Sequence, residues 1–133
     1  MITIRQADDM LAAARDRADS IGIPVNIAVL DAGGHLKAFM RMDGAVLGSI
    51  DLAMRKANTA VLFQTSSETV WEYCKPGAPA HGLELSNGGL APFPGGLPLK
   101  GRHGEIVGAV GVSGGAVPQD AEVAQAAVAA FLP

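Results

Sequence analysis

The segment Glu105–Gly115, EIVGAVGVSGG, has the apolar character of a buried β-strand but contains four glycines. Glycine weakens the interior of a strand because it has no side chain to pack. Its presence here therefore indicates that another part of the chain approaches this backbone closely, or that the chain turns sharply. The preceding segment GLPLKG, residues 96–101, is a suitable partner strand, and RHG, residues 102–104, is a suitable turn. The two segments predict a β-hairpin.

A second hairpin is predicted nearer the N-terminus. VNIAVL, residues 25–30, is a short buried strand, DAGG, residues 31–34, is a tight turn, and HLKAFMR, residues 35–41, alternates as the partner strand.

Four segments between and around the hairpins have helical periodicity and end signals. The predicted helices are the one that starts at a Thr3–Gln6 capping box and ends at Gly22 and Pro24, residues 50–63 with Ser49 as a cap, a short helix from Ser66 through Tyr73, and residues 117–131 with Pro118 in the first turn. Asp120 and Glu122 are favourable near the positive end of that last helix.

The order of these elements decides the fold class. Helix, hairpin, helices, hairpin and helix follow one another with no helical crossover between neighbouring strands, and parallel strands need such crossovers. We therefore expect the α+β class, with an antiparallel sheet flanked by helices. At 133 residues, the chain has the length of one domain, which we expect to span residues 1–133.

Composition and charge exclude several classes of protein. The formal charge is −3 and there is no long basic run, which argues against nucleic acid as a partner. No apolar run is long enough for a membrane span, and the N-terminus lacks the features of a signal peptide. The single cysteine, Cys74, excludes an internal disulfide and fits the cytoplasm. Hydrophobic residues make up 49% of this small chain, which favours a homo-oligomer.

Three well-known kinds of functional site are absent or incomplete in the sequence. Gly111–Gly115 matches the Gly-x-Ser-x-Gly pattern, but no histidine follows it to complete a triad, which argues against a serine hydrolase. The glycine-rich segments lack the Gly-Lys-Ser/Thr of a phosphate-binding loop. His35, His81 and His103 have no close ligand spacing, so no classical zinc site is predicted.

His81 is the histidine with the strongest functional interpretation. It lies in a Pro/Gly-rich irregular segment, three residues before Glu84 and six before Asn87. His81 and Glu84 are therefore candidates for an acid/base pair, and His81 is also a candidate axial ligand for haem iron. The alternative is that His81 only caps a loop. We interpret His35 and His103 as solvated turn residues.

A second group of candidates could bind an anionic ligand. Arg41 and Asp43 leave the end of a predicted strand, and Lys56 lies on the next helix. Together with Asn87 they form our predicted ligand-binding set, because Arg and Lys suit a carboxylate. The alternative is an Arg41–Asp43 contact that only shapes the loop.

Cys74 has two interpretations. It is either an inert thiol or a nucleophile or thiolate ligand whose pKa the adjacent Lys75 lowers.

Four strings, taken in order, resemble one family. IAVLDAGGHLKAFMRMDGA, KANTAVLF, GGLPLKGRHGEIVGAVGVSGG and QDAEVAQAAVAAF together cover much of the chain and resemble the GlcG/HbpS family, which includes the C-terminal domain of PduO. The resemblance implies a profilin-like fold with a central antiparallel sheet and helices on both sides. It also implies homo-oligomers, from dimers to octamers, and a glycine-rich strand packed next to the final helix.

The resemblance leads to three functional hypotheses. Some members of the family bind haem, so the first hypothesis is a haem- or tetrapyrrole-binding protein with His81 as axial ligand and Arg41 or Lys56 at a propionate. The second is a small-molecule catabolic enzyme, an isomerase, lyase or hydrolase, in which His81 and Glu84 move a proton while Arg41 and Lys56 hold a carboxylate. The third is an oligomer with no site. In PduO-type members a His and a Cys near the start of the domain are associated with haem, whereas the first histidine here is His35.

Overall fold

A computed structural model describes all 133 residues. It contains four α-helices, four β-strands and one 3-10 turn at Leu83–Leu85. The helices are α1 (Ile4–Ile21), α2 (Gly48–Phe63), α3 (Ser67–Cys74) and α4 (Val117–Ala129). The strands are β1 (Asn26–Asp31), β2 (Leu36–Arg41), β3 (Gly96–Lys100) and β4 (Ile106–Ser113).

The four strands form one antiparallel sheet in the order β2-β1-β4-β3. Both predicted hairpins are present, since β1 pairs with β2 and β3 pairs with β4. The two hairpins are joined through β1 and β4, where Asn26 lies opposite Ser113 and Asp31 lies opposite Gly108. The glycine-rich strand β4 is therefore a central strand, with a neighbour on each side.

Helices cover both faces of this sheet. Helices α1 and α4 pack together against one face, where the largest buried cluster includes Ile27, Val29, Val110 and Val112. Helix α2 packs against the other face over Leu30 and Ala109, and α3 lies beside it. The predicted α+β architecture, a central antiparallel sheet with helices on both sides, is confirmed.

The glycines of β4 make room for elements on opposite faces. A Cβ at Gly111 would collide with the backbone carbonyl of Ala53 and the backbone nitrogen of Ala57, both in α2. A Cβ at Gly108 would collide with the side chain of Ile2 on the other face and with the carbonyl of Leu30. The expectation that the small residues of this strand admit the final helix was therefore wrong at Gly111, where the closest element is α2.

The predicted helix caps were correct for α1 and α3 and wrong for α2. Thr3 and Gln6 form a complete capping box, and the Ser66 hydroxyl accepts a hydrogen bond from the Thr69 N–H. Helix α2 instead begins at Gly48, and Leu47 occupies the N-cap without a side-chain hydrogen bond. Ser49 lies within the first turn and is buried.

All six aromatic side chains lie outside the buried core. The buried apolar residues are Ala, Val, Leu, Ile, Met and Cys, whereas Phe63, Trp71, Tyr73 and Phe93 are exposed and Phe39 and Phe131 are partly exposed. Rings normally supply much of the area that a protein buries in its core or its interfaces.

No helix is long and apolar enough to cross a membrane.

Gly111→Ala should destabilise the fold by about 1–3 kcal/mol, because the added methyl group has to displace the backbone of α2. Gly48→Ala is the matched control: this helical position has no atom near its would-be Cβ, and alanine there should change stability by at most about 1 kcal/mol, in the stabilising direction. Urea unfolding at equal protein concentrations measures both. Equal stability of Gly111→Ala and the unmodified protein would contradict the close approach.

Candidate functional site

Lys56 lies in the interior of the protein, paired with Asp120. The side chains of both residues are 2% exposed, and the Nζ–Oδ2 distance is 3.0 Å. The ammonium also donates to the carbonyl of Val112 at 2.9 Å, and the second carboxylate oxygen of Asp120 accepts from the Gly115 N–H at 2.8 Å. The pair joins α2 to α4 next to the end of β4.

This environment changes the interpretation of Lys56. Burial lowers the pKa of Lys56, and the charge of Asp120 and its hydrogen bond oppose that shift. The ammonium is already occupied by two protein acceptors and is shielded from solvent, so the structure does not present it to a ligand. The sequence predicted that Lys56 binds an anionic ligand, and it indicated Asp120 only as a favourable charge near the positive end of the last helix. It missed the pairing because 64 residues separate the two.

Arg41 and Asp43 lie apart from Lys56. Both are exposed at and after the end of β2, where they line an open cleft of about 360 Å³ with Arg15 and Asp19 of α1. No hydrogen bond or ion pair joins Arg41 to Asp43 or to Lys56. The structure therefore does not assemble the predicted cationic pair of Arg41 and Lys56.

His81 lies on the loop between α3 and β3, residues 75–95, and its ring is fixed at one nitrogen. Nδ1 is 3.3 Å from the backbone carbonyl of Cys74, the last residue of α3. A carbonyl only accepts hydrogen bonds, so Nδ1 carries the proton in this contact. In the neutral ring, Nε2 then has a free lone pair, and His81 is exposed to solvent. This arrangement is typical of a histidine that is oriented to ligate a metal.

Glu84 lies beside Cys74 rather than pairing with His81. Burial raises the pKa of the Cys74 thiol, and the Glu84 carboxylate raises it further by hydrogen bonding and charge. The expectation that Lys75 lowers this pKa was wrong, since the Lys75 ammonium pairs with Glu72 at 2.7 Å. No hydrogen bond joins His81 to Glu84 that would let them pass a proton.

Asn87, predicted to bind a ligand with Arg41, Asp43 and Lys56, lines a cleft that contains none of those three residues. Its backbone is left-handed, with φ of 54°, and its side chain donates to the Ser86 hydroxyl at 3.0 Å. The cleft, of about 310 Å³, is also lined by Arg55 and Asn58 of α2, neither of which was among the predicted site residues. Arg55 and Asn58 are neighbours on α2, whereas Asn87 comes from the distant α3–β3 loop, so no local motif connects it to them.

The remaining histidines are solvated, as the sequence indicated. His35 and His103 are exposed in the turns of the two hairpins, and the side chain of His35 is 3.4 Å from that of Asp31. The turn amides of Gly33 and His35 donate to the Asp31 carboxylate and, with His35 nearby, lower its pKa. The structure contains no cluster of three or more His, Cys, Asp or Glu side chains that could hold a metal ion.

Comparison with known proteins identifies the family. Residues 2–129 match the family described as haem degrading protein HbpS-like. The chain belongs to the HbpS-like family. The 15.0 kDa protein of the dhaT-dhaS intergenic region of Citrobacter freundii is 38% identical over 131 residues, covering 98% of this chain and 92% of that protein.

Two further similarities concern PduO. Corrinoid adenosyltransferase PduO of Salmonella typhimurium is 37% identical over 131 residues, which cover 98% of this HbpS-like chain. The chain corresponds to only 39% of the length of PduO. The crystal structure of a PduOC–heme complex superposes with a TM-score of 0.91 at 36% identity, covering 97% of this chain and 94% of that one.

In this HbpS-like protein, Lys56→Met should cost about 3–5 kcal/mol of stability, because it leaves the buried carboxylate of Asp120 without a countercharge. Lys56→Met with Asp120→Asn should recover part of that loss, since Asn keeps an acceptor for the Gly115 N–H but carries no charge. A double-mutant cycle by urea unfolding measures the coupling. Additive effects of the two substitutions would contradict the buried pair.

Cys74 should react far more slowly with iodoacetamide at neutral pH in the folded protein than in urea. The thiol is buried and its raised pKa reduces the reactive thiolate fraction. Mass spectrometry of timed samples measures the rate. Equal rates in native buffer and in urea would favour the nucleophile interpretation instead.

Proposed function

We propose that this protein binds haem or a related tetrapyrrole, with His81 as an axial ligand of the iron. The observation that carries the proposal is the exposed His81 residue, whose ring Nδ1 contacts the Cys74 carbonyl while Nε2 makes no hydrogen bond within the chain. Membership of the HbpS-like family and the structural similarity to a PduOC–heme complex support the choice of ligand.

The residues around His81 fit this role. A hydrogen bond from the second ring nitrogen to a backbone carbonyl fixes the tautomer and orientation of a metal-bound histidine. That carbonyl belongs to the last turn of α3, where helix carbonyls lack intrahelical partners. A bound haem would supply a redox-active iron, and the contribution of the protein is the fixed imidazole.

Exposed apolar side chains next to His81 offer a surface for the porphyrin. Tyr73 is 57% exposed and Leu85 is 83% exposed. Both are tied to the His81 segment: the Ala80 N–H donates to the Tyr73 carbonyl and the Leu85 N–H donates to the Gly82 carbonyl. Tyr73 and Leu85 would contact the macrocycle. None of the clefts of the single chain is lined by His81, so the haem would lie on an open surface rather than in an enclosed cavity.

An open haem surface requires a cover, and we propose that a second copy of the chain provides it. Exposed apolar side chains elsewhere on the surface would also be buried by self-association, including Leu36, Val46, Leu47 and Leu62. The assembly size, from dimer to octamer, stays a prediction.

The free cysteine in a chain without disulfides is consistent with our assignment to the cytoplasm.

The positions of the charged residues revise the rest of the haem hypothesis. Lys56 is buried, so we replace it as a propionate partner with Lys75, which follows Cys74 at the end of α3. The surface pair of Lys75 with Glu72 is of a kind that contributes little energy, which leaves Lys75 able to exchange partners. The enzyme hypothesis is not carried forward, because His81 and Glu84 face different partners.

Haem titration followed by absorbance tests the proposal. The unmodified protein should give a sharp, saturable Soret band, and His81→Ala should weaken binding at least about 10-fold through loss of the axial ligand. His35→Ala and His103→Ala are matched controls at exposed turn histidines and should bind as the unmodified protein does.

Two results would overturn the haem assignment. One is a featureless, non-saturable response of the unmodified protein. The other is His81→Ala binding haem with an unchanged spectrum and affinity, which would remove His81 as the ligand. Light scattering with and without haem determines whether the loaded form contains more than one chain.

A further inference from the structure

A cleft on the α2 side of the sheet combines polar and apolar walls. It lies between the β1–β2 turn, α2 and the segment that follows the 3-10 turn, and its volume is about 310 Å³. Its polar side chains are those of Arg55, Asn58 and Asn87. The remaining lining residues are Leu30, Gly34, Leu36, Met54 and Gly89.

Arg55 is held rigidly at one edge of this cleft. Its Nε donates to the Asp51 carboxylate at 2.6 Å, and its Nη1 donates to the carbonyls of Gly88 and Gly89 at 2.7 and 2.9 Å. These contacts leave Nη2 without a protein acceptor. A planar guanidinium whose orientation is fixed by three acceptors presents its free N–H groups in a defined direction.

Asn58 adds a second unpaired polar group, three residues further along α2. Its side chain makes no hydrogen bond within the chain, although it lines the cleft beside Arg55. Glycines at the rim give both side chains room: a Cβ at Gly34 would lie 3.0 Å from Asn58 Oδ1, and one at Gly89 would lie 2.6 Å from Arg55 Nη1. A side chain at Gly89 would therefore displace the guanidinium.

The chemistry of the two walls defines a ligand. Free N–H groups of a guanidinium and of a carboxamide suit the two oxygens of a carboxylate, and the leucine and methionine side chains suit a short hydrocarbon chain. We propose that this cleft binds a short-chain organic carboxylate, held at its oxygens by Arg55 and Asn58, with its hydrocarbon tail on the apolar wall.

Two features set the expected strength of binding. Asp51 balances the charge of Arg55, so recognition depends on directed hydrogen bonds more than on net charge. The cleft is open to solvent and the ligand is small, so we expect a Kd in the millimolar range. The site does not include His81, and it neither requires nor excludes haem binding.

Titration with sodium butyrate, followed by ¹H–¹⁵N NMR, tests the proposal. Saturable shifts should appear at the amides of Gly34, Gly88 and Gly89 and at the Asn58 side chain. Butyramide has nearly the same shape but carries a donor NH₂ group in place of one acceptor oxygen, and it should bind at least about 10-fold more weakly. Asn58→Asp should weaken butyrate binding at least about 10-fold by placing a like charge at the carboxylate.

Matched variants separate a local effect from a general one. Gln125→Glu adds the same charge at an exposed position of α4, on the opposite face of the sheet, and should bind butyrate normally. Asn58→Ala removes the carboxamide without adding charge and should also weaken binding. His81→Ala should retain butyrate binding, so failure of the haem proposal leaves this one testable.

Three results would overturn the carboxylate site. They are an absence of saturable shifts with butyrate, equal affinity for butyramide, and Asn58→Asp binding as the unmodified protein does. Haem binding that weakens in Asn58→Asp while butyrate does not bind would show that the cleft holds a haem propionate instead, which also contradicts a site for a free acid.

Discussion

The close approach of α2 to the sheet is the constraint on which the rest of this structure depends. Gly111 of β4 lies against the backbone of Ala53 and Ala57, and Gly96 of β3 lies against the carbonyl of Lys56. Where the helix and the sheet meet at their backbones, no side chain fits between them at these glycine positions. Aromatic rings do not fit this layer, and all of them lie at or near the surface, where they are available to ligands or to other subunits.

The same constraint explains why a lysine is buried. Lys56 packs beside Gly95 and Gly96, where it is shielded from water, so its ammonium needs acceptors within the protein. It finds them in the Val112 carbonyl and Asp120, and the result is a link between helices on opposite faces of the sheet. An apolar residue would avoid the desolvation cost of this charge, whereas the ion pair joins the start of α4 directly to α2.

Most of the secondary structure could be predicted from the sequence because its signals are local. The capping box at Thr3, the turn at residues 31–34 and Pro118 each act within a few residues of the element they delimit. The sites could not be predicted in this way. A lysine is usually exposed to solvent and available to a ligand, and only the tertiary fold shows that Lys56 is buried. Arg55 meets Gly88 and Gly89 across more than 30 residues, with no motif that connects them.

The α3–β3 loop shows how an irregular segment can present ligand-binding groups in fixed positions. Side chains of the neighbouring helices hold it at several points: Arg55 at Gly88 and Gly89, Thr59 at Ala91 and Ser67 at Phe93. Two of the side chains involved, His81 and Arg55, use one edge for the contact and leave the other edge free. His81 donates from Nδ1 to the Cys74 carbonyl and leaves Nε2 free. Arg55 donates from Nη1 to the Gly88 and Gly89 carbonyls and from Nε to Asp51, and leaves Nη2 free. These hydrogen bonds from side chains to backbone carbonyls orient Nε2 and Nη2 before any ligand binds, so less conformational entropy is lost on binding. Loop and ligand contacts therefore depend on the same side chains, and a substitution at either anchor has to be judged by its effect on both.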